Sequence, residues 1–174
     1  MTLEAVQRTP AERRLRRELI GQINLGRWAL LAIMAVTLLN QLLLLFGADY
    51  HFLFSAALPY YLNWLTAQLS AHMAVGIYRA FAILLTLGLY TGYGACWLLS
   101  AQRKEWMLAS LVLYGADTLL LIVFALTLLE NPASCLFEVL THGAGLYILY
   151  LGYQASEKLN SMPRQRRTAE EPVL

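Results

Sequence analysis

Four long, nearly uncharged apolar runs, at about 28–47, 76–99, 107–129 and 133–154, limit what this chain can fold into. Each is near the ~20 residues a helix needs to cross ~30 Å of hydrocarbon. Inside hydrocarbon a backbone must satisfy its own N–H and C=O groups, so such runs fold as helices. The composition agrees: 59% of the 174 residues are hydrophobic and 14% charged, against about 45–50% and about 25% in soluble domains. The predicted fold is an all-α, four-transmembrane-helix bundle forming one membrane domain over 27–156. It lies between a cytoplasmic amino segment, 1–26, and a disordered cytoplasmic tail, 157–174.

The first run is longer than a signal-peptide core and no small-x-small cleavage site follows it, so it reads as a membrane span. Residues 1–8 are expected to be disordered. In "TPAE", Thr9 to Glu12, a threonine cap, a proline at the first helical position and a glutamate three residues after the cap mark a helix start. The next stretch sets Leu15, Leu19, Ile20 and Ile23 on one side and Arg13, Arg14, Arg16 and Arg17 mostly on the other. It reads as a short basic amphipathic helix lying on the lipids of an anionic cytoplasmic leaflet.

Positive charge sets the topology. With four spans, Arg8, Arg13, Arg14, Arg16, Arg17 and Arg27 share one side with Arg103 and Lys104 of the 100–105 loop and with Lys158, Arg164, Arg166 and Arg167 of the tail. Only Arg79 is left over. Both termini are therefore expected in the cytoplasm, in a multi-pass plasma (inner) membrane protein with the general look of a small bacterial one. The segment 48–72 has no positive charge and stays on the outer side. It is either an interfacial helix or a shallow re-entrant hairpin bent at Pro59, with Tyr60, Tyr61 and Trp64 at the headgroups. The basic residues flank apolar runs and serve topology, so nucleic acid is not an expected partner. Cys96 and Cys135 fall near opposite faces of the membrane, which argues against a disulfide between them.

Polar side chains within spans are costly to bury and therefore informative. Thr37, Asn40 and Gln41 lie in the first run. Thr86, Tyr90 and Tyr93 follow one face of the second, and Ser110, Tyr114, Asp117 and Thr118 one face of the third. Cys135, Glu138, His142 and Gly145 do so in the fourth. At ~1.5 Å per residue, Asn40 lies about 10 Å below the outer end of its helix, Asp117 about 16 Å, Glu138 about 8 Å and His142 about 14 Å. Asp117 and His142 are thus candidates to touch. Gly88 and Gly92, with Gly143 and Gly145, are candidates for close helix approach.

Those positions outline a polar pocket with Asp117 and His142 as its floor, Glu138 near its mouth and Asn40, Thr86 and Tyr90 on its walls. Arg79, near the outer end of the second run, either snorkels to headgroups or joins the pocket, which would then suit an anion or zwitterion. Such a pocket would bind or transport a small solute, ion or proton, with a homo-oligomer or a partner membrane protein thickening the wall around any path. The bland reading is that the same groups only hydrogen-bond helices together. A metal on Glu138 and His142 would need Asp117 or Cys135 as third ligand, and no metal or other cofactor is expected. An accessory protein docking a partner through its basic amino helix is the main alternative. An intramembrane enzyme using Glu138 or His142 ranks third, because no activated nucleophile, phosphate loop or dinucleotide fingerprint is present.

Overall fold

The computed structural model describes residues 9–47, 52–68, 75–101, 103–128 and 135–162. Residues 1–8, the connection at 130–132, the tail from 163 and the side chains of Arg79 and Trp64 lie outside the described residues. Five helices and no strand are present among those described: α1 (Pro10–Leu45), α2 (Ala57–Gln68), α3 (Val75–Leu99), α4 (Lys104–Leu128) and α5 (Leu136–Ser161). Three of them, α1, α3 and α4, are long and apolar enough to span a membrane. α5 has the length, but Glu138, His142 and three glycines lower its hydropathy.

α1 begins as its sequence signals. The Thr9 hydroxyl accepts from the Glu12 N–H at 3.2 Å, and the Glu12 carboxylate accepts from the Thr9 N–H at 2.9 Å. Two of the unpaired donors of a helix start are thereby satisfied. The expected break between a surface helix and the first span is absent. One helix of 36 residues runs through Gly26 and Arg27 to Leu45, about 54 Å long at ~1.5 Å per residue. It stops where Gly47 takes a φ of 76°, and its N–H donates back to the Leu44 carbonyl at 3.1 Å. That left-handed position favours glycine. Gly47→Ala is expected to destabilise the protein by about 1 kcal/mol in equilibrium unfolding in detergent micelles.

The amino half of α1 has a packing partner in α5. Leu19 and Ile23 are buried in one apolar cluster with Ala155, and Leu15, Leu159 and Met162 pack against it. α5 accordingly runs on through residues 157–161, five positions into the segment expected to be disordered. α1 and α5 approach backbone to backbone at Gly26 and Gly152. A Cβ on Gly26 would sit 3.5 Å from the Gly152 Cα and 3.4 Å from the Met107 thioether. Gly88, by contrast, faces open space.

Leu30, Ile33, Met107, Tyr114 and Leu149 are fully buried, while Trp28, Leu45, Leu84, Leu119, Val123, Leu126 and Phe137 are largely exposed. So much exposed apolar surface suits lipid and would be a liability in water. In lipid, apolar burial drives nothing, so van der Waals packing and polar side chains must hold the helices together.

Candidate functional site

The segment 52–68 folds back among the long helices, and the polar residues of the spans receive it. Asn40 clasps Phe52 from both sides. Its carbonyl accepts from the Phe52 N–H at 2.7 Å, and its amide donates to the Phe52 carbonyl at 2.8 Å and to the Ser55 hydroxyl at 2.9 Å. Thr37 accepts from the Ala56 N–H at 2.7 Å and donates to the Ile33 carbonyl at 2.6 Å. The Thr141 hydroxyl of α5 shares its one proton between the Glu138 carbonyl at 2.8 Å and the Leu53 carbonyl at 3.2 Å.

Asp117, halfway along α4, closes the arrangement. Its two carboxylate oxygens each accept a backbone N–H from the first turn of α2, Ala57 and Leu58, both at 2.8 Å. The third residue of that turn is Pro59, which has no N–H to satisfy. Pro59 therefore starts the helix and does not bend a hairpin; the turn is made before it, over 52–56. A carboxylate at a helix N-terminus also meets the positive end of the helix dipole. In this fold the anion site at that helix end is filled by the chain's own Asp117.

His142 Nδ1 stands 3.8 Å from Asp117 and 3.1 Å from the Thr118 hydroxyl. Thr118 gives its proton to the Tyr114 carbonyl at 2.8 Å, so Nδ1 carries the hydrogen in that pair. The His142 ring stacks on Tyr114 at 4.9 Å between centroids. Glu138 accepts from the Tyr61 hydroxyl at 2.9 Å. Tyr61 thus turns into the protein, against Phe124, away from the headgroup position expected of it. Cys96 and Cys135 are both free, and no cluster of three metal-ligating side chains occurs among the described residues.

Asp117, His142, Glu138 and Asn40 are therefore brought together around the folded-back segment. Thr86 and Tyr90 lie elsewhere. With Gln41, Asn63 and Thr66 they line a cavity of about 740 Å³ bounded by α1, α2 and α3. Its rim, Leu42, Leu45, Ile83 and Leu87, is exposed, so the cavity is a groove open on the apolar flank of the molecule. A narrower crevice continues from Tyr90 to Tyr93 and Thr37. Neither reaches Asp117, His142 or Glu138. Arg79 falls one helical turn before Ile83 in α3, with its side chain outside the described residues. Gln41 was visible in the sequence as a polar residue in a span. Ser55, Asn63 and Thr66 were not singled out, because polar residues in a connecting segment carry no signal of their own.

The donor set in the groove is unusual. Thr37, Thr91, Thr118 and Thr127 each return their hydroxyl to the carbonyl four residues back, and Thr66 and Thr141 to the carbonyl three back. Among the described helical threonines, Thr86 alone leaves its hydroxyl without a partner, as do Tyr90 OH and Gln41 Nε2 beside it. Asn40, by contrast, is fully used. Asn40→Leu is expected to cost about 1–2 kcal/mol, since it removes the partner of the part-buried Phe52 N–H and carbonyl; urea or SDS titration of the purified protein measures it.

These features define an all-helical membrane protein in which intramembrane polar groups hold a folded-back helix beside an apolar groove. No protein-family model, curated protein or solved structure matches the chain.

Proposed function

We propose that the protein spans the membrane four times, through α1, α3, α4 and α5, with both termini cytoplasmic, and that it binds a small membrane-borne molecule in the groove between α1, α2 and α3. The observation that carries this reading is the ~740 Å³ groove with unpartnered polar atoms on Gln41, Thr86 and Tyr90. Its volume lies in the ~300–1,000 Å³ range of small-molecule sites, and a mostly apolar wall with a few convergent polar groups is their usual make-up. Groups of this kind are costly to bury in lipid unless a ligand pairs with them.

Support for α5 as the fourth span is chemical. Its Glu138 and His142 are buried against partners from α2 and α4, so its outer surface presents Leu136, Phe137 and Leu140. The twelve clustered basic residues favour this topology, which makes 52–68 a re-entrant element entered from the outer side. Irregular backbone at membrane depth survives only where protein satisfies it, and Asn40, Thr37, Thr141 and Asp117 do so here. In this reading those residues are the frame, and Thr86, Tyr90 and Gln41 touch the ligand.

The test is lipid retention. Protein purified in mild detergent is expected to carry a near-stoichiometric lipid-like molecule in native mass spectrometry, and Ile83→Trp or Leu87→Trp, which fill the groove, should remove it. Equal retention by both fillings would sink the reading. Reporters placed at 48–51 and 130–132 should both report the outer side.

A second reading, a docking role for the amino segment, is favoured by the length of α1. Seventeen residues of α1 precede Arg27, so Arg17 stands about 15 Å beyond it, more than the ~8 Å over which salt leaves headgroup charge felt. The arginines then face a cytoplasmic partner more than the lipid. Replacing Arg13, Arg14, Arg16 and Arg17 by Gln should leave folding and membrane insertion intact. It should release any stoichiometric partner from complexes solubilised at low salt.

A further inference from the structure

We infer that His142 is a proton-binding site inside the helix bundle, which takes one proton on Nε2 and holds it as an imidazolium beside the Asp117 carboxylate. The tautomer of the ring makes this possible. Nδ1 gives its hydrogen to the Thr118 hydroxyl at 3.1 Å, because that hydroxyl gives its own proton to the Tyr114 carbonyl. In the neutral imidazole Nε2 is then a bare lone pair. It sits on a side chain with no exposed surface and has no hydrogen-bond partner. A buried acceptor left unmet is costly. A water can meet one only where there is room for it, whereas a proton needs none.

The surroundings suit a cation. Asp117 is 2% exposed, and His142, 3.8 Å away, is the one basic side chain paired with it among the described residues. A buried carboxylate without a counter-charge is expensive, and a cation at this distance offsets part of that cost. Glu138, one turn earlier in α5 and equally buried, is a second carboxylate near the ring. The Ser55 carbonyl of the folded-back segment is an uncharged acceptor beside it. The other titratable neighbours are phenols: Tyr114 stacked on the ring, Tyr93 of α3 near Asp117, and Tyr61 of α2 on Glu138. From α1, the described side chains that reach the folded-back segment here are the neutral Thr37 and Asn40. One bare lone pair thus lies among two carboxylates. The Asp117 oxygen that faces Nδ1 is also the one that accepts from the Ala57 N–H, so a single atom joins the proton site to the start of α2. The site does not depend on the groove.

The experiment follows the ring nitrogens of the three histidines in full-length protein labelled with ¹⁵N-histidine. The protein is held in detergent micelles and titrated from about pH 8 to about pH 4, a range that brackets an ordinary imidazole. His142→Gln identifies the His142 signals, and circular dichroism reports that the fold persists. Nε2 of His142 is expected to start bare and to become protonated in one step. Asp117→Asn removes the nearer charge and should weaken proton binding by about ten- to a thousandfold. Glu138→Gln leaves the carboxylate on α2 in place and should weaken it by about tenfold, as the more distant charge. A His142 that stays neutral down to about pH 4 in the folded wild type would overturn the inference, and that measurement needs no variant. So would a bare Nδ1 with a protonated Nε2 at the start of the titration. A proton affinity within about threefold of wild type in Asp117→Asn would overturn it as well; if that variant does not fold, the same result in Glu138→Gln does so.

Discussion

Asp117→Ala should be the most damaging single substitution in this protein, lowering its unfolding free energy by about 3–5 kcal/mol. The change strands the Ala57 and Leu58 N–H groups, each 2.8 Å from a carboxylate oxygen, the first buried and the second part-buried. An unmet buried donor costs about 1–3 kcal/mol, and the favourable interaction of the carboxylate with the start of α2 goes too. Against a typical total of about 5–15 kcal/mol, the outer part of the fold should open first. Asp117→Asn keeps one acceptor oxygen and should lose about half as much. SDS titration gives the free energies, and limited proteolysis within 52–68 reports where the loss falls. A loss under ~1 kcal/mol for Asp117→Ala would show that α2 does not depend on this cap. Restored proteolytic protection on adding an anion, with Ala at 117, would confirm that the carboxylate fills an anion site at the helix end.

Gly145→Ala comes next, at about 2–3 kcal/mol. A Cβ on Gly145 would lie 2.7 Å from the Tyr114 ring, a distance real Cβ atoms essentially never show. Tyr114 cannot give way cheaply: it is fully buried and stacked on His142. Overpacking of this kind typically costs about 1–3 kcal/mol. The diagnostic is a double-mutant cycle. In a Tyr114→Leu background the ring is gone, and Gly145→Ala should then cost less than ~1 kcal/mol, a coupling of opposite sign to the single effects. Additive losses would mean that the contact does not set the spacing of α4 and α5. A similar cost at Gly88, where nothing lies within 4 Å, would refute the packing account.

Some of this was legible without coordinates. The cap at Thr9 and Glu12 is local chemistry between residues three apart, and it is read directly from the letters. The matched depths of Asp117 and His142 needed only a fixed helical rise, and their groups stand 3.8 Å apart. Other features were hidden for equally physical reasons. The arginine-rich stretch has the pattern of a surface helix, and its continuation into the first span depends on Ala155 and Leu159 of α5 and on Met162 just after it, more than a hundred residues away. Pro59 reads as a bend when met alone. It reads as a helix start once Asp117 is seen to satisfy the two residues before it.

The same division holds for the site. Hydropathy alone determined that this chain belongs in a membrane, that it folds as helices, and which polar residues would have to be explained, because the cost of a polar group in hydrocarbon depends on its type and its run. Which of them are framework and which line the groove was decided only by tertiary packing. Asn40 and Thr86 are equally plausible wall residues by helical register. One is spent on the Phe52 backbone and the other is left open, because the path of residues 52–68 between the long helices chooses which donors and acceptors it meets. That path is a sum of long-range contacts, and no local pattern in the sequence encodes it.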